Sequence, residues 1–122
     1  MEKLGYAILG LGIGMAHAEG VAASEHAELV AACDLDRARL DKFHALYPRA
    51  ALTEDFEALL KNPDVDIISI CLPSAMHADF AVRAMEAGKH VLVEKPIDIT
   101  VERAARIEEA RRRTGRICGV VH

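Results

Sequence analysis

Short runs of almost wholly apolar residues, each followed by a helix-length segment, restrict the fold of this chain more than any other feature. Tyr6-Ala7-Ile8-Leu9 stops at Gly10, Leu29-Val30-Ala31-Ala32-Cys33 stops at Asp34, Ile67-Ile68-Ser69-Ile70-Cys71-Leu72 stops at Pro73, and His90-Val91-Leu92-Val93 stops at Glu94. A strand that is apolar on both sides needs cover on both faces, and helical crossovers between parallel strands supply it.

The segments between these runs fit that role. From Asp34 to Leu46 the residues Leu35, Ala38, Leu40, Phe43 and Leu46 recur near the helical period until Tyr47-Pro48 interrupts them. Ala50-Ala51-Leu52 is a short third strand. Thr53 is expected to cap a brief helix with Glu54 and Asp55 in its first turn and Phe56, Leu59 and Leu60 on its apolar side, ending at Asn62-Pro63. Met76 to Ala87 is helical in pattern, with Phe80, Ala81, Ala84 and Met85 on one side and a stop at Gly88. Thr100 caps a last helix with Glu102/Arg106, Glu108/Arg112 and Glu109/Arg113 at i, i+4, and Ile117 to Val121 forms the last strand. Six strands and five helices, joined by right-handed crossovers, predict an α/β fold: a doubly wound, mainly parallel six-stranded sheet with helices on both faces, the Rossmann arrangement. At 122 residues the chain has room for one such domain, read as spanning 1–122.

Composition then removes whole classes of function. With 52% hydrophobic residues the chain is too apolar for disorder. Fifteen Lys and Arg against 19 Asp and Glu give a net charge of -4, so no broad basic surface for nucleic acid is expected. No run approaches the roughly 18 apolar residues of a membrane span. The start Met1-Glu2-Lys3-Leu4-Gly5 lacks a signal-peptide pattern, so a soluble, cytoplasmic protein is expected. Cys33, Cys71 and Cys118 are too far apart for a zinc site, odd in number, and read as small buried residues. Six scattered histidines give no i, i+4 pair, and no metal is expected.

The loop after the first run carries chemistry. Gly10-Leu11-Gly12-Ile13-Gly14 joins a strand to a helix, where backbone N–H groups and the positive helix end suit a pyrophosphate and glycines allow close approach. Asp34 ends the second run 24 residues after Gly10, close to the offset at which a carboxylate accepts hydrogen bonds from an adenosine ribose. The usual third glycine would stand at Met15, whereas Gly14 comes one place early; this questions helix-to-strand packing more than phosphate contact. A carboxylate in that place also disfavours the extra phosphate of NADP, by roughly 1 to 4 kcal/mol for a charge pair near 4 Å. Arg37 and Arg39 soften the preference for NAD, because an arginine just past the second strand can accept a 2′-phosphate. A solvated helix face explains either arginine as well.

Gly88-Lys89-His90-Val91-Leu92-Val93-Glu94-Lys95-Pro96, preceded by Leu72-Pro73-Ser74-Ala75-Met76-His77, resembles the nucleotide-binding domain of the Gfo/Idh/MocA oxidoreductases, the glucose-fructose oxidoreductase and inositol dehydrogenase family. Asp34 with Arg39 five places on resembles the family's ribose-end pattern. The resemblance covers nearly the whole chain and implies an NAD(P)-dependent dehydrogenase or reductase of sugars, cyclitols or related hydroxy and keto compounds. It implies Lys95 as the active-site lysine, flanked by Glu94 and Pro96, and a cofactor held by Gly10, Gly12, Ile13, Gly14, Asp34, Arg39, Leu72, Pro73, His77 and Glu94. His77 suits a cofactor contact or a helix start equally. His17 resembles the family's histidine after the glycine loop, at a shifted offset, and receives no chemistry. Arg111-Arg112-Arg113, preceded by Glu108 and Glu109 in a last helical turn, reads as a solvated face.

The resemblance further implies a second α/β domain that builds the substrate pocket and often mediates oligomerisation, and this sequence lacks it. The expectation is therefore a chain that binds nicotinamide dinucleotide, turns over little or nothing, meets its small-molecule substrate only with the missing domain, and self-associates through exposed apolar surface. A non-enzymatic nucleotide-sensing or protein-interaction module on the same fold is the alternative.

Overall fold

The computed structural model describes residues 3–12, 14–72, 77–93 and 101–120. Its elements run β1 (Leu4–Leu9), α1 (Gly14–Ala22), β2 (Ala27–Cys33), α2 (Arg37–Leu46), β3 (Ala51–Thr53), α3 (Phe56–Lys61), β4 (Ile67–Ile70), α4 (His77–Glu86), β5 (His90–Val93), α5 (Val101–Thr114) and β6 (Cys118–Val120). The strands form one sheet in the order β3-β2-β1-β4-β5-β6, and every pairing is parallel. This is the doubly wound arrangement expected from the sequence.

Strand order also decides which helices share a face. Right-handed crossovers from β1 through β2 to β3 run outward one way, and those from β3 through β4 and β5 to β6 run the other. Accordingly Ala18 of α1 and Leu40 and Phe43 of α2 cluster with Ile8 and Ala32, whereas Phe56 and Leu59 of α3, Ala81, Ala84 and Met85 of α4 and Ala110 of α5 cluster with Ala7, Leu9, Ile68, Ile70, Val91 and Val93. Alternate residues of β1 and β2 thus feed two cores, as the two-residue pleat requires, whereas β4 and β5 contribute to the second cluster alone.

Several local expectations are corrected. Asp36 caps α2, accepting from the N–H groups of Ala38 and Arg39 at 2.9 and 3.4 Å, so the helix begins at Arg37 rather than Asp34. Leu35 and Leu46 leave the apolar stripe and are exposed, because one precedes the cap and the other lies on the outer side of the last turn. Asp55, not Thr53, caps α3: its carboxylate accepts from Glu57 N–H at 3.0 Å, while Thr53 closes β3 and its hydroxyl accepts from Asp55 N–H at 2.9 Å. Arg106 pairs with Asp79 of α4 at 2.7 Å, and Arg113 with Glu86 of α4 at 2.9 Å in addition to Glu109 at 4.0 Å. Ion pairs read as decoration within one helix therefore also join α4 to α5.

Lys89 is buried at the other end of the sheet, where its ammonium donates to the carbonyls of Asn62 and Val65 at 2.8 and 2.7 Å. Burial lowers its pKa against the opposing pull of Asp66. Cys33 and Cys71 are buried and Cys118 is half-buried, all three as free thiols.

Candidate nucleotide site

Strand order reverses between β1 and β4, and the crevice outside the carboxyl ends of the strands at such a reversal is where ligands settle in open α/β sheets. The glycine loop lies there. Gly10 has φ +94°, and a Cβ on it would stand 2.7 Å from the Cys71 carbonyl oxygen, so only glycine suits the turn. Its N–H donates to the Cys33 carbonyl at 2.9 Å, which ties the loop to the end of β2.

Gly14 resolves the question raised by Met15. A Cβ on Gly14 would lie 2.6 Å from Ile8 Cγ2 and 3.6 Å from both Cβ and Sγ of Cys71. Gly14 therefore provides the close helix-to-strand contact that the third glycine usually provides, one position earlier, and half-buried Met15 packs beside the α1–α2 core. The shortened loop keeps its packing, which corrects the expectation that this contact is compromised.

Asp34 sits directly behind the loop with its side chain 9% exposed. Its Oδ2 accepts from Leu11 N–H at 2.7 Å and its Oδ1 from Asp36 N–H at 2.8 Å. The carboxylate thus braces the glycine loop and the turn into α2, and each oxygen has a second lone pair available for a ribose hydroxyl. The bracing bond to Leu11 is absent from the sequence reading, since spacing reveals that an acid ends β2 but not which N–H it meets.

Arg39 reaches the same place from α2. Its Nη1 is 3.7 Å from Asp34 Oδ2 and 3.4 Å from where a Gly12 Cβ would be, so the guanidinium lies against the loop at the ribose end. Arg37 instead pairs with Asp41 at 3.7 Å, both well exposed, as a solvated face does. Half-buried Leu72 closes over Gly10, its Cδ2 3.1 Å from that glycine's would-be Cβ. The structure thus gathers Gly10, Gly12, Gly14, Asp34, Arg39 and Leu72 around one crevice. His77 opens α4, but its side chain, like Ile13, Pro73, Glu94 and Lys95, lies outside the described residues.

Beneath the loop lies a polar chain to which the sequence reading gave no role. Ser69, fully buried in β4, bonds to Tyr6 Oη of β1 at 2.7 Å, and His17 Nδ1 of α1 lies 3.1 Å from the Ser69 hydroxyl. The available signal was the lone hydroxyl inside an otherwise apolar run. Burial pushes the Tyr6 phenol up, against the opposing pull of the Ser69 hydrogen bond. Burial also pushes the Cys33 thiol to about 11, with Asp34 and Asp55 adding to the effect, so a thiol beside the site stays protonated and inert at neutral pH.

The crevice fits a dinucleotide on its own terms: glycines where a Cβ would clash, a helix end over the loop, and a carboxylate with free acceptor capacity behind it. Among the described residues no helix is long and apolar enough to cross a membrane.

The Gfo/Idh/MocA family model, described as an oxidoreductase family with an NAD-binding Rossmann fold, matches residues 4–122. The chain is 45% identical over 95 residues to 1-carboxy-3-chloro-3,4-dihydroxycyclo hexa-1,5-diene dehydrogenase of Comamonas testosteroni, covering 78% of this chain and 24% of that protein. It is 34% identical over 121 residues to D-glucoside 3-dehydrogenase of Escherichia coli (strain K12), covering 95% of this chain and 34% of the relative. The WlbA dehydrogenase of Chromobacterium violaceum, solved in complex with NADH and UDP-GlcNAcA, superposes with a TM-score of 0.90 at 27% identity, covering 99% of this chain and 35% of that one. The chain thus spans about a quarter to a third of the length of the relatives it matches.

Proposed function

This chain belongs to the Gfo/Idh/MocA oxidoreductase family as an NAD-binding Rossmann domain, and on that premise we propose that it is the nucleotide half of a dehydrogenase or reductase acting on a sugar, cyclitol or related hydroxy or keto compound. The observation that carries the reading is the coupling of the two cofactor-binding parts, the glycine loop and the ribose-end acid, through the 2.7 Å bond from Leu11 N–H to Asp34. The names of the relatives, a glucoside dehydrogenase and a dihydroxycyclohexadiene dehydrogenase, support the substrate class.

In this reading the loop backbone from Gly10 to Gly14 and the first turn of α1 hold the pyrophosphate, with no side chain between backbone and phosphate at the glycines. Asp34 accepts the ribose hydroxyls. When bound, the nicotinamide supplies the hydride acceptor or donor. Lys95, two places beyond β5, holds a proton for the oxygen at the reacting carbon, and Glu94 and Pro96 position it. NAD is preferred over NADP, because the nearly buried Asp34 carboxylate opposes a 2′-phosphate, while Arg39 at 3.7 Å offsets part of that repulsion. The domain occupies 1–122, works in the cytoplasm, and turns over little or nothing without a substrate domain.

Calorimetric titration with NAD and NADP tests the reading. The chain should bind NAD more tightly than NADP, and Asp34→Ala should weaken NAD about tenfold or more, since it removes the ribose acceptor and the brace on Leu11. Absence of binding at millimolar cofactor would overturn it.

A further inference from the structure

Ser69 is the only fully buried polar side chain among the described residues, and it lies in β4 at the strand reversal. Its partners come from two other elements: Tyr6 of β1 at 2.7 Å and His17 of α1 at 3.1 Å. A hydroxyl in an apolar core costs free energy unless it is bonded, and an alanine there would need no partners.

The placement suggests a purpose. Gly14 and His17 are three residues apart and so face the same side of α1. Gly14 seats on Ile8 of β1, and Ser69, which takes His17, is the register partner of Ile8 across the β1–β4 ladder. The first turn of α1 is therefore held at two adjacent points, one steric and one polar, over the two strands that border the crevice. The steric contact fixes how closely the helix approaches. It leaves rotation about the contact open, and a directional bond one turn further along removes that freedom.

We propose that His17, Ser69 and Tyr6 form a polar pin that sets the rotation of α1, so that the N–H groups of its first turn point at the cofactor pyrophosphate. His17 and Ser69 are positioning residues and need not touch cofactor or substrate. With Ser69 donating to the Tyr6 oxygen, the Ser69 oxygen accepts from His17 Nδ1–H, which fixes the histidine tautomer. The pin explains how a loop one residue shorter than usual keeps its helix in place. It rests on the cofactor reading above and deepens it.

The test separates the pyrophosphate end of the site from the ribose end. NAD engages both; adenosine engages only the latter, where Asp34 acts. Dissociation constants for both are read from amide chemical-shift titrations of the 122-residue chain, with melting temperatures as a check on folding. His17→Leu and Ser69→Ala should each raise the NAD dissociation constant about fivefold, the effect of one lost hydrogen bond, and leave adenosine unchanged. His17→Asn, whose amide can occupy the Nδ1 position, should restore most of the NAD affinity. Unchanged NAD affinity in both variants would overturn the pin. So would equal weakening of both ligands in step with a lower melting temperature, or failure of the asparagine to rescue. A wild-type chain that binds adenosine but not NAD would overturn the pyrophosphate reading, and the pin with it; NAD bound equally by wild type and variants would overturn the pin alone.

Discussion

The two halves of the sheet are built from similar apolar runs yet end up in different surroundings. In the β1–β3 half, α1 and α2 cover one face, and Ile8, Ala32, Leu40 and Phe43 are all fully buried there. On the same face of the other half Ser69 of β4 is fully buried beside β1, but Ile67, His90, Leu92 and Gly119 are only half-buried and Ile117 is exposed, and no residue of β5 or β6 joins that core among the described residues. The crossovers from β3 onward have all gone to the opposite face. Hydrophobic runs therefore announce strands that are to be covered, and topology decides which of them the chain covers with its own helices. The nucleotide loop, bonded to Cys33 and Asp34 at the end of β2, is on the side that is closed.

The sharpest way to break this comparison is to truncate one residue on the same face of each half. Ile8→Ala should cost about 4 kcal/mol in urea unfolding, the upper range for a fully buried aliphatic, whereas Leu92→Ala should cost only about 1 kcal/mol. Equal losses would mean that both halves are covered alike.

Next in size is Lys89→Met, which removes the ammonium from the Val65 carbonyl and leaves the Asn62 carbonyl only the Val65 N–H, and should destabilise by about 2 kcal/mol, measured the same way. It asks whether the more open half depends on its clamp at the opposite end of the sheet.

The thiols offer a smaller, chemical contrast. Iodoacetamide at neutral pH should label half-buried Cys118 before Cys33 and Cys71, as read by peptide mass. Cys33 also gives the closed half an alkaline limit. Its thiol ordinarily titrates at 9.0 and in the folded chain at about 11, so the native state keeps the proton longer; the resulting stability is intact below about pH 9 and lost as pH rises towards 11. The melting temperature of Cys33→Ala should accordingly fall less steeply over that window than that of the wild type.

The smallest effect belongs to the surface of α5. Hydrogen bonds from Arg111 and Arg112 hold the Glu108 carboxyl down at about 2, but the group lies at the surface with its side chain 46% exposed. Glu108→Gln should shift the melting temperature by less than a degree or two, since exposed ion pairs contribute little.

Where the sequence was legible, the signal was local. Asp34 to Leu46 shows a helix, but Leu35 and Leu46 fall in its apolar period and still face solvent, because periodicity cannot say where a cap begins the helix. Met15 looked like a defect in the glycine loop until Gly14 was seen against Ile8. Ser69 looked like one polar interruption in a run, and its meaning depends on Tyr6 and His17, 63 and 52 residues away.

By itself, the sequence determined the number and type of elements, the parallel sheet, the glycine loop and the acid at the end of β2, because each follows from spacing within a few turns of chain. Only the tertiary structure decided which face each helix covers, that Gly14 takes the place of the missing third glycine, that Asp34 braces the loop it faces, and that a buried hydroxyl joins three elements. Those outcomes depend on contacts between distant segments, whose geometry is set by handed crossovers and close packing rather than by local periodicity.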